Sequence, residues 1–382
     1  MTKTLTLIVS TLGLALTACG DNLAPAPDAG PVDVASGPPR AVVVAGDFGA
    51  GNPGVLTTLD PATRTVMTNV GPAMSVGDNP ILRHFGKELF IVNSNDGNNV
   101  TILDDQTLKL KEQLGTGAGS NPQDVAVVGN KLYVPTLGTN GVTVLTRGST
   151  ATEQIDLSAD DLDGKPDCNS VYLVGTLLYV SCGLLDGFDR VRPGKVYLVD
   201  TATDTVKTNL TVTLSHKNPF SLFEQIPANA PHPGDLLIAT TEDFGTTGCI
   251  ERIATGATPS FAGCVVDNAM LGGYPTRMDF EIVPGLAMVW SAVSIPPTPS
   301  APPRADLRGY DLMTSSLSSA PINPATEVIG EVVHCPEGQV VVIDTTKDDN
   351  GLRVYENAAE KTAAVLPIGI KVSFSPHGLA CY

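Results

Sequence analysis

The feature that most constrains the fold is a set of strand-like segments that recurs about every 40 to 55 residues. Each copy starts with an apolar strand and continues, after a polar loop, with a second alternating strand. A Thr-rich strand and a turn ending in proline follow. The first apolar strand of each copy lies at residues 40–45, 88–93, 131–136, 177–182, 235–240, 286–291 and 339–344. The second lies at residues 54–60, 99–104, 141–146, 195–200 and 351–356.

Four strands per unit and seven units predict an all-β, seven-bladed β-propeller of four-stranded antiparallel blades over residues 40–382. When a blade is counted from its Pro-led strand, the apolar strand above becomes its second strand. The last segment, residues 376–382, is then the first strand of a blade whose other strands begin at Arg40. We therefore expect this C-terminal strand to join the N-terminal blade, which closes the ring and protects its sheet edges.

The repeated Leu-Tyr-Val strand, the Val-x-Val-hydrophobic-Asp strand and the Pro-led strand resemble the YVTN-type β-propeller repeats of bacterial surface and periplasmic proteins. Two units depart from the pattern. The fifth has Cys249-Ile-Glu-Arg-Ile as its second strand, and the sixth carries a Pro-rich insertion at residues 295–303. The resemblance implies a propeller fold and leaves function open, because propellers host both binding modules and enzymes.

The N-terminus has the layout of a secretory signal, with Lys3 followed by an apolar run too short to span a bilayer comfortably. The run ends in Leu16-Thr17-Ala18-Cys19, which resembles a bacterial lipobox. The resemblance implies a signal peptide at residues 1–18 and lipidation of Cys19. Residues 19–39 then form a flexible tether. The implied location is the bacterial cell envelope, with Gly20 favouring the outer membrane. The alternative is an ordinary signal peptide with a chance cysteine.

Charge restricts the partners of the chain. It has 23 basic and 40 acidic side chains, which argues against binding to nucleic acid or to anionic lipid head groups.

Six cysteines remain after Cys19, and an even number in an exported protein predicts disulfides. Cys168 opens the first strand of its blade and Cys182 closes the second, so antiparallel pairing brings them together. Cys249 and Cys264 have the same relation on the third and fourth strands of the next blade. Cys335 and Cys381 pair partly by elimination, and this bond would join equivalent strands of neighbouring blades. A metal cluster lacks support, since the sequence has no C-x-x-C.

Motifs for catalysis are weak. Residues 161–167 and 348–351 resemble fragments of Ca²⁺ loops, but Ala159 and Thr346 occupy the first ligand positions. Turn chemistry is the favoured interpretation, and no cofactor is predicted. No paired histidine spacing, P-loop or G-x-S-x-G fingerprint stands in a suitable setting. The candidates for a site at the channel mouth lie near the first strands of their blades: Asp124, Glu224, Asp279 and His377.

The leading hypothesis is a noncatalytic binding or scaffold module on a lipid anchor. In an up-and-down blade the long insertions at residues 156–167, 183–194 and 295–306 fall on one face, while residues 225–234 are an exception on the other. Loops are where binding usually resides, so this face is predicted to hold an envelope protein or a glycan. The alternative is an enzyme at the channel mouth, either lactonase-like or a quinone-dependent dehydrogenase.

Overall fold

The structure is a computed structural model that describes residues 40–46, 53–281, 287–318, 321–326, 328–345, 351–356, 366 and 377–382. The predicted signal peptide, Cys19 and the predicted tether lie outside these residues. No helix in the described part is long and apolar enough to cross a membrane.

Seven antiparallel sheets form the blades of a β-propeller, as the repeat predicts. We letter the strands of each blade a to d from the innermost strand outward, so that the C-terminal strand is strand a of blade 1. Blade 1 contains β29 (His377–Cys381), β1 (Ala41–Ala45), β2 (Val55–Asp60) and β3 (Thr65–Met67). Blade 2 contains β4 (Pro80–Phe85), β5 (Glu88–Asn93), β6 (Asn99–Asp104) and β7 (Leu110–Gly115). Blade 3 contains β8 (Ala126–Val128), β9 (Lys131–Pro135), β10 (Gly141–Thr146) and β11 (Thr152–Asp156).

The remaining blades vary more at their outer edge, because strand d is split in two in blades 4 and 6. Blade 4 contains β12 (Cys168–Val174), β13 (Leu177–Cys182), β14 (Pro193–Asp200), β15 (Thr205–Val206) and β16 (Val212–Lys217). Blade 5 contains β17 (Glu224–Gln225), β18 (Leu236–Thr241), β19 (Gly248–Ala254) and β20 (Ser260–Asp267). Blade 6 contains β21 (Tyr274–Phe280), β22 (Met288–Ile295), β23 (Arg304–Asp311), β24 (Ser316–Leu317) and β25 (Ile322–Thr326). Blade 7 contains β26 (Ile329–His334), β27 (Val340–Asp344) and β28 (Gly351–Tyr355). The short helix α1 (Asn268–Leu271) and 3-10 turns at Ser158–Asp160 and Thr208–Leu210 complete the set.

The C-terminal strand closes the ring. Strand β29 pairs with β1 in antiparallel register and contacts strand a of both blade 2 and blade 7. The backbone N–H of Arg40 donates to the carbonyl of Tyr382 at 2.9 Å, and the reverse bond measures 3.0 Å. In blade 7, Leu366 forms a backbone bridge to Leu352 at the position expected for strand d.

Hydrophobic clusters lie between the blades rather than within them. Seven clusters occur in the described residues, one at each of the seven interfaces between neighbouring blades. Strand b is therefore covered on both sides, and β5 and β13 are almost entirely buried. The outer strands β7 and β11 remain largely exposed. This explains why the apolar strand b is the clearest repeat in the sequence.

Most of the long loops lie on one face of the ring, opposite the tight turns that join strands a and b. Strands a and b are joined by two-residue turns in blades 2, 3 and 4, in which Gly86, Gly129 and Gly175 adopt left-handed φ values near 60°. Glycine adopts this conformation without strain. We call this side, formed by the a–b and c–d connections, the short-loop face, and the side formed by the b–c and d–a connections the long-loop face. Residues 157–167, 183–192 and 296–303 lie on the long-loop face, and residues 226–235 form a long connection on the other.

Three disulfides join the predicted pairs. Cys168–Cys182 and Cys249–Cys264 lie at strand ends on the long-loop face, each within one blade. Cys335–Cys381 joins blades 7 and 1 on the short-loop face, with a Cα–Cα distance of 5.1 Å. Cys335 lies in the turn after β26 rather than on the strand itself, which brings its Cα within disulfide range of β29.

Candidate functional site

Asp124, the first channel candidate, is fully buried and forms hydrogen bonds that connect three blades. It lies just before β8 and accepts hydrogen bonds from Arg83 Nε at 2.7 Å and Nη2 at 3.0 Å in blade 2. Ser170 Oγ and the backbone N–H of Val171, both in blade 4, each donate to Asp124 Oδ2 at 3.0 Å. These donors saturate the carboxylate, so its observed role is to hold adjacent blades together.

Asp279 joins a different pair of neighbouring blades by hydrogen bonds. It lies on β21 in blade 6, where Oδ1 accepts the N–H of Phe280 at 2.8 Å and Oδ2 accepts the N–H of His334 in blade 7. Glu224 is half-buried on the short strand β17 of blade 5. The backbone of His377 lies on β29, and its side chain is outside the described residues. The hydrogen bonds of Asp124 and Asp279 thus go to separate sets of blades.

The strands that line the axis carry an ion pair that sequence reasoning missed. Arg277 Nε on β21 lies 3.3 Å from Glu331 Oε2 on β26. Burial raises the pKa of Glu331 to about 7, against the opposing effect of Arg277. A signal was present in the sequence, because Glu331 is an acidic residue among the apolar residues Ile329, Val332 and Val333 of one strand. A buried acid with a displaced pKa is a reasonable place to look for chemistry.

A second buried carboxylate resembles part of a catalytic triad but has the wrong geometry. Glu251 on β19 is fully buried and lies 3.0 Å from His216 Nδ1 on β16. Ser215 Oγ contacts the same nitrogen at 2.9 Å. In a nucleophilic relay the hydroxyl and the carboxylate bind opposite ring nitrogens. This group therefore joins blades 4 and 5 and does not activate Ser215.

The acidic loop at residues 161–167 directs carboxylate oxygens at its own backbone. Asp161 Oδ2 accepts the N–H groups of Asp163 and Lys165 at 3.1 and 3.0 Å, and Asp163 Oδ1 accepts that of Lys165 at 2.8 Å. Burial raises the pKa of Asp167 to about 7. Within the residues described, no three His, Cys, Asp or Glu side chains are arranged to hold a metal ion. The other segment that resembles a Ca²⁺ loop, residues 348–351, lies outside the described residues except for Gly351.

The long-loop face carries half-buried aromatic side chains near the starts of strands a in blades 5 and 6. Phe244 packs against Phe220 and Tyr274, with ring centroids 5.4 Å apart in both pairs. The Arg190 guanidinium lies 3.9 Å from the centroid of the Phe244 ring. Burial raises the pKa of Tyr274. This cluster connects the loops of three blades into one surface.

Solved structures resemble the whole ring. A provisionally assigned 6-phosphogluconolactonase from Bacteroides uniformis is 10% identical, with 91% of this chain and 100% of that chain covered and a TM-score of 0.62. Another from Bacteroides fragilis is 13% identical, with 90% and 98% covered and a TM-score of 0.62. A quinoprotein alcohol dehydrogenase-like protein from Bacteroides thetaiotaomicron is 13% identical, with 86% and 74% covered and a TM-score of 0.54.

At these identities the likeness shows the propeller fold alone. No protein-family model and no curated protein matches the sequence.

Proposed function

We propose that this protein is a lipid-anchored β-propeller of the bacterial cell envelope that binds a partner, without catalysis, through its long-loop face. The observation that carries the proposal is the projection of ordered loops with exposed apolar side chains from this face around blade 4. A rigid ring that presents such loops is a common basis for recognition. The lipobox-like segment and the tether-like composition support the anchor.

The anchor is tested by replacing Cys19. We expect Cys19→Ser to release the protein from membranes or to block its processing, because serine has no sulfur to carry the lipid. Asn22→Ser is the matched control and should fractionate as the wild type does. Mass spectrometry of the mature wild-type N-terminus should show an acylated cysteine. A soluble, unmodified wild-type protein would refute the anchor.

The alternative is an enzyme at the channel mouth, of lactonase-like or quinone-dependent dehydrogenase type. The Arg277–Glu331 pair favours it, because an acid with a pKa near neutrality is suited to proton transfer. Metal analysis of the purified protein discriminates between the two functions. A stoichiometric metal would favour the enzyme.

A further inference from the structure

Two neighbouring loops on the long-loop face form one ordered unit, which we call the blade 4 projection: residues 157–167 and 183–192. Cys168–Cys182 links their bases. Above it, the N–H of Gly183 donates to the carbonyl of Asp167 at 3.0 Å, and the N–H of Leu184 donates to that of Pro166 at 3.1 Å. The two loops are therefore held as a single body.

A second set of contacts fixes the outer flank of the projection. Asp160 Oδ2 lies 2.8 Å from Lys195 Nζ and accepts the Tyr197 hydroxyl at 3.0 Å. Arg192 donates to the backbone carbonyl of Asp160. Loops fixed in this way lose little conformational entropy when a partner binds.

The projection ends in apolar side chains that point away from the core. Asp186 and Asp189 exchange backbone hydrogen bonds of 2.9 and 3.0 Å, which places Phe188 at the tip of a tight turn with 92% of its surface exposed. Leu162 is 66% exposed and Val191 is 46% exposed. A convex apolar tip differs from a small-molecule or sugar site, which is concave. The tip is suited to enter a pocket that the partner supplies.

Charge around the tip defines the rim of that pocket. Asp163, Asp186 and Asp189 are exposed beside the apolar side chains. Lys165 is the exposed cation of the projection, and the nearby arginines are engaged within the protein, Arg190 over Phe244 and Arg192 on the Asp160 carbonyl. Three exposed carboxylates thus surround the tip against one exposed cation. Anionic membranes and nucleic acids are disfavoured by this acidic rim, and so is a second copy of a chain with net charge −17.

We infer that the blade 4 projection docks into an apolar pocket, rimmed by lysine or arginine side chains, on a protein partner in the envelope. Phe188 is the central anchor, and the carboxylates of Asp186 and Asp189 face the cationic rim. Buried aromatic anchors of this kind commonly dominate binding energy. This inference rests on the proposed function, because it specifies the partner of the same face.

The partner can be trapped by placing the photo-crosslinker p-benzoylphenylalanine at position 188 of the full-length protein in living cells. The same residue at Met313, which is 61% exposed on the short-loop face, is the matched control. We expect a discrete protein adduct from position 188 and none from position 313. The absence of an adduct at 188, an equal adduct at 313, or an adduct that contains only glycan would overturn the inference.

A third position separates this inference from the proposed function. Met270 in α1 is 52% exposed on the long-loop face, away from blade 4. An adduct from position 270 without one from 188 would refute docking by the projection and leave binding by the face intact. If no position on the face forms an adduct, both proposals fail.

Affinity for the purified trapped protein then tests the chemistry. Phe188→Ala should weaken binding at least tenfold, and Met313→Ala should stay within twofold of wild type. Asp186→Asn combined with Asp189→Asn should weaken binding and flatten its salt dependence. Wild-type affinity in Phe188→Ala, or an unchanged salt dependence in the double variant, would contradict the inference. Thermal unfolding checks that the variants are folded, which is expected because these side chains are exposed.

Discussion

Removing the Cys335–Cys381 bond should destabilise the ring more than removing a local bond. The two cysteines are 46 residues apart in sequence, compared with 14 for Cys168–Cys182. A disulfide stabilises mainly by restricting the unfolded chain, and its effect grows with the logarithm of the closed loop. For these separations the chain-entropy relation gives about 4 kcal/mol for the closing bond and about 3 kcal/mol for the local bond.

The assay is equilibrium urea unfolding of the wild type and two double variants under non-reducing conditions. One variant carries Cys335→Ala and Cys381→Ala, and its matched control carries Cys168→Ala and Cys182→Ala. We expect the closing variant to lose about 1 kcal/mol more than the control, because only the loop length enters the relation differently. A closing variant as stable as wild type, or more stable than the control, would refute the reasoning. The first result would mean that pairing of β29 with β1 is sufficient to close the ring.

Two further predictions concern buried charges. Asp124→Asn should reduce the free energy of unfolding by about 3 kcal/mol, because it removes the buried negative charge that accepts hydrogen bonds from the Arg83 guanidinium. The exposed Asp189→Asn is the control and should change the free energy of unfolding little. A loss from Asp124→Asn no larger than that from the control would contradict the role of Asp124 in joining blades. Burial lowers the pKa of His334 from 6.5 to about 4. As pH decreases, the His334 imidazole is therefore protonated in the unfolded chain before it is protonated in the folded protein. The free energy of unfolding should fall between pH 6.5 and pH 4 by on the order of 3 kcal/mol. His334→Gln should remove that component of the pH slope in unfolding measurements, and an unchanged slope would show that other groups cause it.

The fold could be predicted because the pattern that specifies it is local. Each strand b is buried between two blades, so residues 89–92 and 177–180 form continuous apolar runs that are visible in the sequence alone. The first two disulfides followed from the same register. Strand a of blade 5 was harder to place, because it is reduced to Glu224–Gln225 and leaves little periodicity to detect.

The environment of the candidate site could not be predicted in this way. The role of Asp124 depends on Arg83, a residue of the preceding blade 41 positions earlier, and on Ser170 in the blade that follows. Likewise, Arg277 and Glu331 meet only when two blades pack. A sequence pattern locates polar residues on inner strands, but it does not show whether a neighbouring blade uses their hydrogen-bonding capacity.

The position of Arg40 fixes the face of the ring at which the N-terminal chain enters the first blade. Arg40 lies beside Tyr382 on the short-loop face, while the blade 4 projection leaves the opposite face. The chain therefore enters the propeller on the face opposite Phe188, and the thickness of the ring separates the two. If the proposed lipid anchor holds the N-terminal segment, it acts on this face and leaves the blade 4 projection uncovered on the opposite face. In that arrangement, changing the length of the predicted tether would change how far from the membrane the projection can reach, without altering the projection itself.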